Sequence, residues 1–333
     1  MKILITDADP TVRAIFTETL PGHELVFIDR PLSHDDLAAH ADAEMLSVFV
    51  SSAVKRLEID ALPNLKYIVA RSTGVDHIDV AYAKGKGIAV ANVPKYGAHT
   101  VAEFAFALLL AVSRRVVDAV EQVREQNDFT VQKLGGFDLF GKTIGVLGTG
   151  AIGRNVVGIA RGFGMNVLMF DKFPNESLVG EGAKYVSMDE LLAQSDVITV
   201  HVPMMPENYH LLGAEQFAKM KKGVVVINTA RGDLLDGKAL CDALDNGTVA
   251  GAGLDVLEGE RALRDELDIV HGDQNADALK NVIADHVLLK HPKVIFTPHI
   301  AFNSNEAYHE ILSVSAQDAA SFIAGTPQNV VTA

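Results

Sequence analysis

Arg231, Asp255, Glu260 and His299 follow short apolar runs: Val224–Ala230, Val249–Leu254 and Val294–Pro298. Runs this short, rich in β-branched residues, read as buried strands of a parallel sheet, and such sheets collect ligands beyond their carboxyl ends. Together the side chains make a chemical set. A guanidinium can grip a carboxylate, an imidazole can exchange a proton near neutral pH, and a carboxylate can orient that imidazole and raise its pKa. Singly, each has a plainer reading that outweighs this one. Arg231 is then a surface charge, Glu260 part of the acidic stretch behind it, and His299 a capping or core histidine.

A second constellation is more specific. Thr143–Leu147 runs into Gly148-Thr-Gly150-Ala151-Ile152-Gly153, and a helical pattern continues to about Phe163. Glycines at this spacing let the backbone turn tightly, approach a pyrophosphate and pack helix against strand. The helix N-terminus supplies unpaired N–H groups to the same anion. A further run, Val167–Phe170, ends in Asp171, 23 residues after Gly148, where a carboxylate can hold a ribose diol and repel a 2′-phosphate. Gly136–Thr143 also fits the P-loop pattern, but it leads into a strand rather than out of one, so a triphosphate site is not expected there.

The elements that must position these residues alternate from end to end. Strand candidates are Lys2–Thr6, Glu24–Ile28, Leu46–Val50, Tyr67–Ala70 and Ile88–Val93, then again from Thr143 through Asn166–Phe170, Val197–Val200, Gly223–Asn228, Val249–Gly253 and Val294–Thr297. Amphipathic segments separate them, so two parallel α/β units are expected. One long helix is expected from Thr100, as N-cap with Glu103 closing a capping box, to about Glu125. Ser304–Ile323 reads as a tail helix returning to the first unit. Arg261–Asn281, rich in acidic residues, reads as a helical insertion or a surface excursion.

At 333 residues the chain has room for two domains, and 48% hydrophobic residues exclude a disordered protein. A net charge of −14 disfavours a phosphate backbone as partner, and the single Cys241 excludes a disulfide scaffold. The longest apolar stretch, Phe104–Val112, cannot span a bilayer, and no signal-peptide core follows Met1. No nucleic acid, no membrane and a cytoplasmic location are therefore expected.

Several motifs occur in order along the chain: Arg71-Ser-Thr-Gly-Val-Asp-His-Ile-Asp79, Val93-Pro-Lys-Tyr-Gly-Ala-His-Thr-Val-Ala-Glu103, Gly148–Gly153, His201-Val-Pro203, Asn228-Thr-Ala-Arg-Gly232, Gly253-Leu-Asp255 and Thr297-Pro-His-Ile-Ala-Phe302. With them the chain resembles the D-isomer-specific 2-hydroxyacid dehydrogenases over nearly its whole length, closest to the NAD-dependent D-lactate dehydrogenases. The resemblance implies two doubly wound parallel-sheet domains. Residues 99–299 form a Rossmann NAD-binding domain, inserted in a flavodoxin-like substrate domain of residues 1–98 and 300–333. It implies NAD as cofactor, no metal and a homodimer with the Thr100–Glu125 helix at its contact.

The same resemblance implies residue roles. Arg231 grips the substrate's carboxylate and carbonyl oxygen, His299 is the acid/base, and Glu260, rather than Glu258, holds His299. Gly148, Gly150, Ala151, Ile152 and Gly153 meet the pyrophosphate, and Asp171 the adenosine ribose. Val202, Pro203 and Asn208 line the adenine side, with Thr229, Ala230 and Asp255 near the nicotinamide. Thr73 and Gly74 bind the substrate carboxylate through their backbone, while Tyr96 and Phe302 form walls. Two features depart from the family pattern. Ser51 stands where lactate-type members carry Tyr, which implies a roomier pocket and tolerance of longer uncharged 2-oxo acids. The 38-residue interval between Glu260 and His299 is longer than many members use. The expected reaction is NADH-dependent reduction of a small 2-oxo acid to the D-2-hydroxy acid. The alternatives are a glyoxylate or hydroxypyruvate reductase, and a non-catalytic dinucleotide-sensing protein.

Overall fold

Strand and helix alternate through both halves of the chain, and every strand pairing within the two sheets is parallel. The computed structural model describes residues 1–258, 283, 284 and 286–331. Glu260 and the acidic stretch Arg261–Asn281 lie outside the described residues. The chain divides into two compact units, Met1–Gly97 with Asn303–Ala333, and Ala98–Phe302.

The first unit contains β1 (Lys2–Ile5), α1 (Pro10–Thr19), β2 (Glu24–Phe27), α2 (His34–Ala39), β3 (Met45–Val48), α3 (Arg56–Asp60), β4 (Tyr67–Ala70), α4 (Val80–Gly85) and β5 (Ala89–Ala91). Its sheet order is β2-β1-β3-β4-β5, the flavodoxin-like doubly wound order. Period-2 alternation sends Leu4, Leu46, Ile68 and Val90 into one core, and Ile3, Ile5, Met45, Tyr67 and Val69 into the other. The second core is completed by Leu312, Ala316 and Ala319 of the C-terminal helix (Asn305–Ile323), which Ser304 caps through the Ala307 amide. The tail helix thus docks on the first unit, against α1.

The second unit contains α5 (Ala98–Ser113), α6 (Val116–Gln126), β6 (Thr143–Leu147), α7 (Ala151–Gly162), β7 (Asn166–Phe170), β8 (Ala183–Tyr185), α8 (Met188–Gln194), β9 (Val197–Val200), α9 (Ala214–Lys219), β10 (Val224–Asn228), α10 (Gly237–Asp245), β11 (Val249–Leu254) and β12 (Val294–Phe296). The order β12-β11-β10-β9-β6-β7-β8 reverses direction between β6 and β9. It is the Rossmann order with one further strand. Val224 and Val226 face one core, Val225 and Ile227 the other, and the second is roofed by Ala102, Ala105, Phe106 and Leu109 of α5. Among the described residues, no helix is long and apolar enough to cross a membrane.

Two expectations are corrected, and one strand is added. The long helix is two: the Phe137 amide takes the Ser113 carbonyl at 2.9 Å, and Arg115 turns to φ +51° before α6 starts. Gly136 permits this crossing, because a Cβ there would lie 2.1 Å from the Ser113 oxygen. Thr100 lies inside the first turn of α5 and is not its N-cap. The edge strand β8 went unread, since three residues carry too little alternation to register.

Asp318, 1% exposed in the C-terminal helix, anchors the returning tail through Asn329 Nδ2 at 2.8 Å. Burial pushes its carboxyl up from 3.8 to about 6, against the opposing Asn329 hydrogen bond. The folded state therefore holds this proton to higher pH than the unfolded chain, and stability is lost as pH rises from about 4 to about 6. Asp318→Asn is expected to remove that loss. Urea-unfolding free energies should show the variant gaining about 2 kcal/mol on wild type between pH 4 and pH 7. A difference independent of pH would contradict this.

Candidate active site

The dinucleotide loop sits at the switch point between β6 and β9. Gly148 has φ +91°, and a Cβ there would lie 2.6 Å from the His201 carbonyl at the end of β9. A Cβ on Gly153 would lie 1.9 Å from the Gly148 oxygen, so only glycine lets α7 pack against the turn. Gly150, the N-cap of α7, meets nothing within 4 Å. The protein's own packing does not demand glycine there, and the position is open to the close backbone approach that a pyrophosphate needs. Ala151 and Ile152 open α7 behind it, with their amides at the positive end of the helix.

Asp171, after β7, accepts from the Thr149 amide at 2.6 Å, the Thr149 hydroxyl at 3.0 Å and the Phe173 amide at 2.8 Å. Burial pushes its pKa up, and these hydrogen bonds outweigh it, so the carboxylate stays ionised below the usual range. The Thr149 hydroxyl also meets the Tyr185 hydroxyl at 2.8 Å. Thr149 and Tyr185 were not singled out in the sequence. Lys172 turns its charge to Glu207, 4.0 Å away.

At the end of β10, the wholly buried Asn228 shapes the next turn. Its Oδ1 accepts from the Ala230 amide at 3.0 Å and its Nδ2 donates to the Arg231 carbonyl at 2.8 Å. Arg231 is half-buried and donates from Nη1 to the Ala230 carbonyl at 2.7 Å. Thr229 is buried, and its hydroxyl finds no partner among the described residues. Such an orphaned group suits a bound ligand. Gly232 fixes the turn from the other side: a Cβ there would lie 2.0 Å from the Leu257 carbonyl carbon. The motif Asn228-Thr-Ala-Arg-Gly232 carried the family resemblance, but the sequence assigned no role to Asn228 or Gly232, although a polar residue ending an apolar strand was a usable signal.

Asp255 ends β11, and its carboxylate is 0% exposed. It accepts from the Thr297 hydroxyl at 2.5 Å and from the amides of Ile300 and Ala301 at 3.0 and 2.8 Å. Burial pushes its pKa up against the pull of these donors and of His299. Its backbone completes the clamp, with its amide on the Asn228 carbonyl and its carbonyl accepting from the His299 amide at 3.0 Å. His299 itself is half-buried, in a left-handed conformation with φ +55°. Arg231, Asp255 and His299 thus stand at the carboxyl ends of the adjacent strands β10, β11 and β12.

Past β9, His201 is fully buried beside Thr199, and burial alone pushes its imidazole down to about 3, so it stays neutral. Val202 and Pro203 follow it, and Asn208 donates back to the Pro203 carbonyl at 3.0 Å, closing the loop. Glu258 accepts from the Tyr209 hydroxyl at 2.6 Å and meets His210 Nε2 at 3.0 Å. In the first unit, Ser51 donates to Asp7, and Tyr96 follows β5. The 72–74 turn after β4 is tied down by Ser72 to the Gly74 carbonyl, Thr73 to the Val93 carbonyl and Asn92 to the Thr73 carbonyl. Phe302, expected with the tail domain, closes the second unit.

Residues 106–301 match the sequence profile of the D-isomer specific 2-hydroxyacid dehydrogenase, NAD binding domain. The chain belongs to that family. It is 36% identical over 299 residues to the D-lactate dehydrogenase of Escherichia coli, covering 89% of this chain and 88% of that one. It is also 36% identical to the glyoxylate reductase of Korarchaeum cryptofilum over 295 residues, 87% of this chain and 83% of that one. A solved D-lactate dehydrogenase from Aquifex aeolicus, complexed with NAD and lactic acid, superposes with a TM-score of 0.86 at 33% identity, covering 100% of this chain and 99% of that one. As a member of this dehydrogenase family the chain takes NAD, and its Gly148–Gly153 cradle and the orphaned Thr229 hydroxyl fit that cofactor.

Proposed function

We propose that this dehydrogenase reduces a small 2-oxo acid, pyruvate or a longer uncharged homologue, to the D-2-hydroxy acid. The observation that supports the reading is the Asp255 clamp, which ties the Thr297–Ala301 turn bearing His299 to the Asn228 end of β10, the strand that leads into Arg231. NADH, when bound along Gly148–Gly153 with its adenosine ribose on Asp171, supplies the hydride. Val202, Pro203 and Asn208 border the adenine, with Thr229, Ala230 and Asp255 toward the nicotinamide. Arg231 holds the substrate carboxylate and carbonyl oxygen, orienting the carbonyl and stabilising negative charge as it develops. Protonated His299 gives its proton to that oxygen. Glu260 is the partner that holds His299, a reading helped by the engagement of Glu258 with Tyr209 and His210. The unit Met1–Gly97 with Asn303–Ala333 serves as the substrate domain and Ala98–Phe302 as the NAD domain, within three residues of the boundaries expected from the sequence. The backbone of Thr73 and Gly74 takes the carboxylate, with Ser51, Tyr96 and Phe302 as walls.

NADH oxidation is to be followed with pyruvate, 2-oxobutyrate, 2-oxoisocaproate, glyoxylate and hydroxypyruvate, with NADPH in parallel. Highest kcat/KM on pyruvate or an uncharged homologue, with NADH preferred, is the expected result. Preference for glyoxylate would move the chain to the reading that its glyoxylate reductase relative favours. No turnover on any of them would overturn the enzymatic reading.

We also propose a homodimer joined through the second unit. Helix α6 buries none of its residues, and Val116, Val120 and Val123 line one exposed face at helical spacing. Phe129 and Val131 beyond it are 76% and 74% exposed. An apolar stripe of this kind marks an association surface. Light scattering at micromolar concentration should give twice the 35.7 kDa chain mass. A monomer would contradict it.

A further inference from the structure

Beyond the dinucleotide loop, a second switch point lies in the first unit, where the order β2-β1-β3 reverses direction beside β1. In doubly wound sheets the crevice at this point, outside the carboxyl ends of the strands, is the ligand position. Here the two strand ends are bridged by side chains. Asp7, two residues past β1, accepts on Oδ1 from the Ser51 hydroxyl at 2.7 Å, and Ser51 lies beyond β3. Its Oδ2 accepts from the hydroxyls of Thr6 at 2.9 Å and Ser52 at 3.3 Å. Asp7 has φ +45°, a left-handed conformation that aspartate tolerates better than most residues. Beneath it Arg71, 1% exposed, donates to the carbonyls of Thr6 and Ser47 and to the Ser47 hydroxyl. Burial pushes that guanidinium down to about 10, against the opposing pull of Asp7, Tyr308 and Asp9.

The hydrogen-bond inventory at the rim is lopsided. A carboxylate has about four acceptor positions and a hydroxyl one donor and two acceptors. Thr6 and Ser52 fill Oδ2, and Ser51 commits its only proton to Oδ1. What the side chains of Asp7 and Ser51 still offer is therefore acceptors and a carboxylate, with no side-chain donor. Ser51 is exposed and Asp7 half-buried, so these lone pairs remain accessible.

We propose that the Asp7–Ser51 pair is a specificity element that selects 2-oxo acids carrying a hydrogen-bond donor on the side chain and rejects those carrying a second carboxylate. The proposal rests on the reading of the first unit as the substrate domain. It sharpens the expectation drawn from Ser51: the place of an aromatic wall is taken by a polar rim, and the favoured longer substrates are hydroxylated ones. A site built to pair a substrate hydroxyl rejects the analogue that lacks it, because its own polar groups are then left unpaired.

The test compares 4-hydroxy-2-oxobutyrate with 2-oxovalerate, which differ by hydroxyl for methyl, and adds 2-oxoglutarate. Wild type should favour the hydroxylated acid by at least about tenfold in kcat/KM and turn over 2-oxoglutarate worst. Ser51→Ala should bring the hydroxyl-to-methyl ratio to within about threefold of unity. Asp7→Asn, which keeps the left-handed tolerance, should raise relative activity on 2-oxoglutarate. Thermal melts verify that both variants fold. Equal kcat/KM for the matched pair in wild type, or ratios unmoved in both variants, overturns the proposal while leaving the dehydrogenase reading intact. Silence on every 2-oxo acid overturns both.

Discussion

The Asp255 carboxylate, wholly buried at the end of β11, takes the Thr297 hydroxyl and the amides of Ile300 and Ala301, while its own amide donates to Asn228. These bonds tie the ends of β10, β11 and β12 into one unit. They also determine the turn in which His299 adopts φ +55°. Non-glycine residues rarely hold that conformation unless the surroundings over-determine it. Removing the carboxylate would leave three donors without their acceptor, the buried Ala301 amide at a cost of about 1–3 kcal/mol and the part-buried Thr297 hydroxyl and Ile300 amide at less. The placement of the Arg231 and His299 backbones follows from that clamp and from the Asn228 turn beside it.

Both units answer the same constraint. A parallel sheet buried on both faces leaves only strand ends for polar groups, and its switch points give the crevices where ligands enter. In the second unit the crevice is made for a close backbone approach, with Gly148 and Gly153 packed too tightly for any side chain. In the first it is edged by hydroxyls and one carboxylate above a buried arginine. One crevice suits a pyrophosphate, the other a small polar molecule.

Much of this was legible in the sequence for physical reasons. Strands such as Val224–Asn228 are short, apolar and β-branched, so they stand out whatever they pack against. The glycine loop announces itself because three separate steric demands require the same residue at set spacings. What stayed hidden depends on contacts distant in the chain. The break between α5 and α6 comes from Phe137 taking a carbonyl of Ser113. The Asn228 and Gly232 contacts that hold the Arg231 turn are set by the carbonyl groups around them, not by any local pattern. Asp7 looked like an ordinary loop residue, and only the juxtaposition of β1 and β3 brings Ser51 to it.

The measurement closest to the central claim is kcat of Asp255→Asn at saturating NADH on the preferred 2-oxo acid. An amide there can accept with one atom only, so part of the Thr297–Ala301 turn loses its anchor and His299 shifts. Misplacement by about 1 Å can cost about a hundredfold in rate, and a loss of that size in a protein with a wild-type circular dichroism spectrum is the result expected. A kcat within about threefold of wild type would contradict the account, since His299 would then keep its place without the carboxylate.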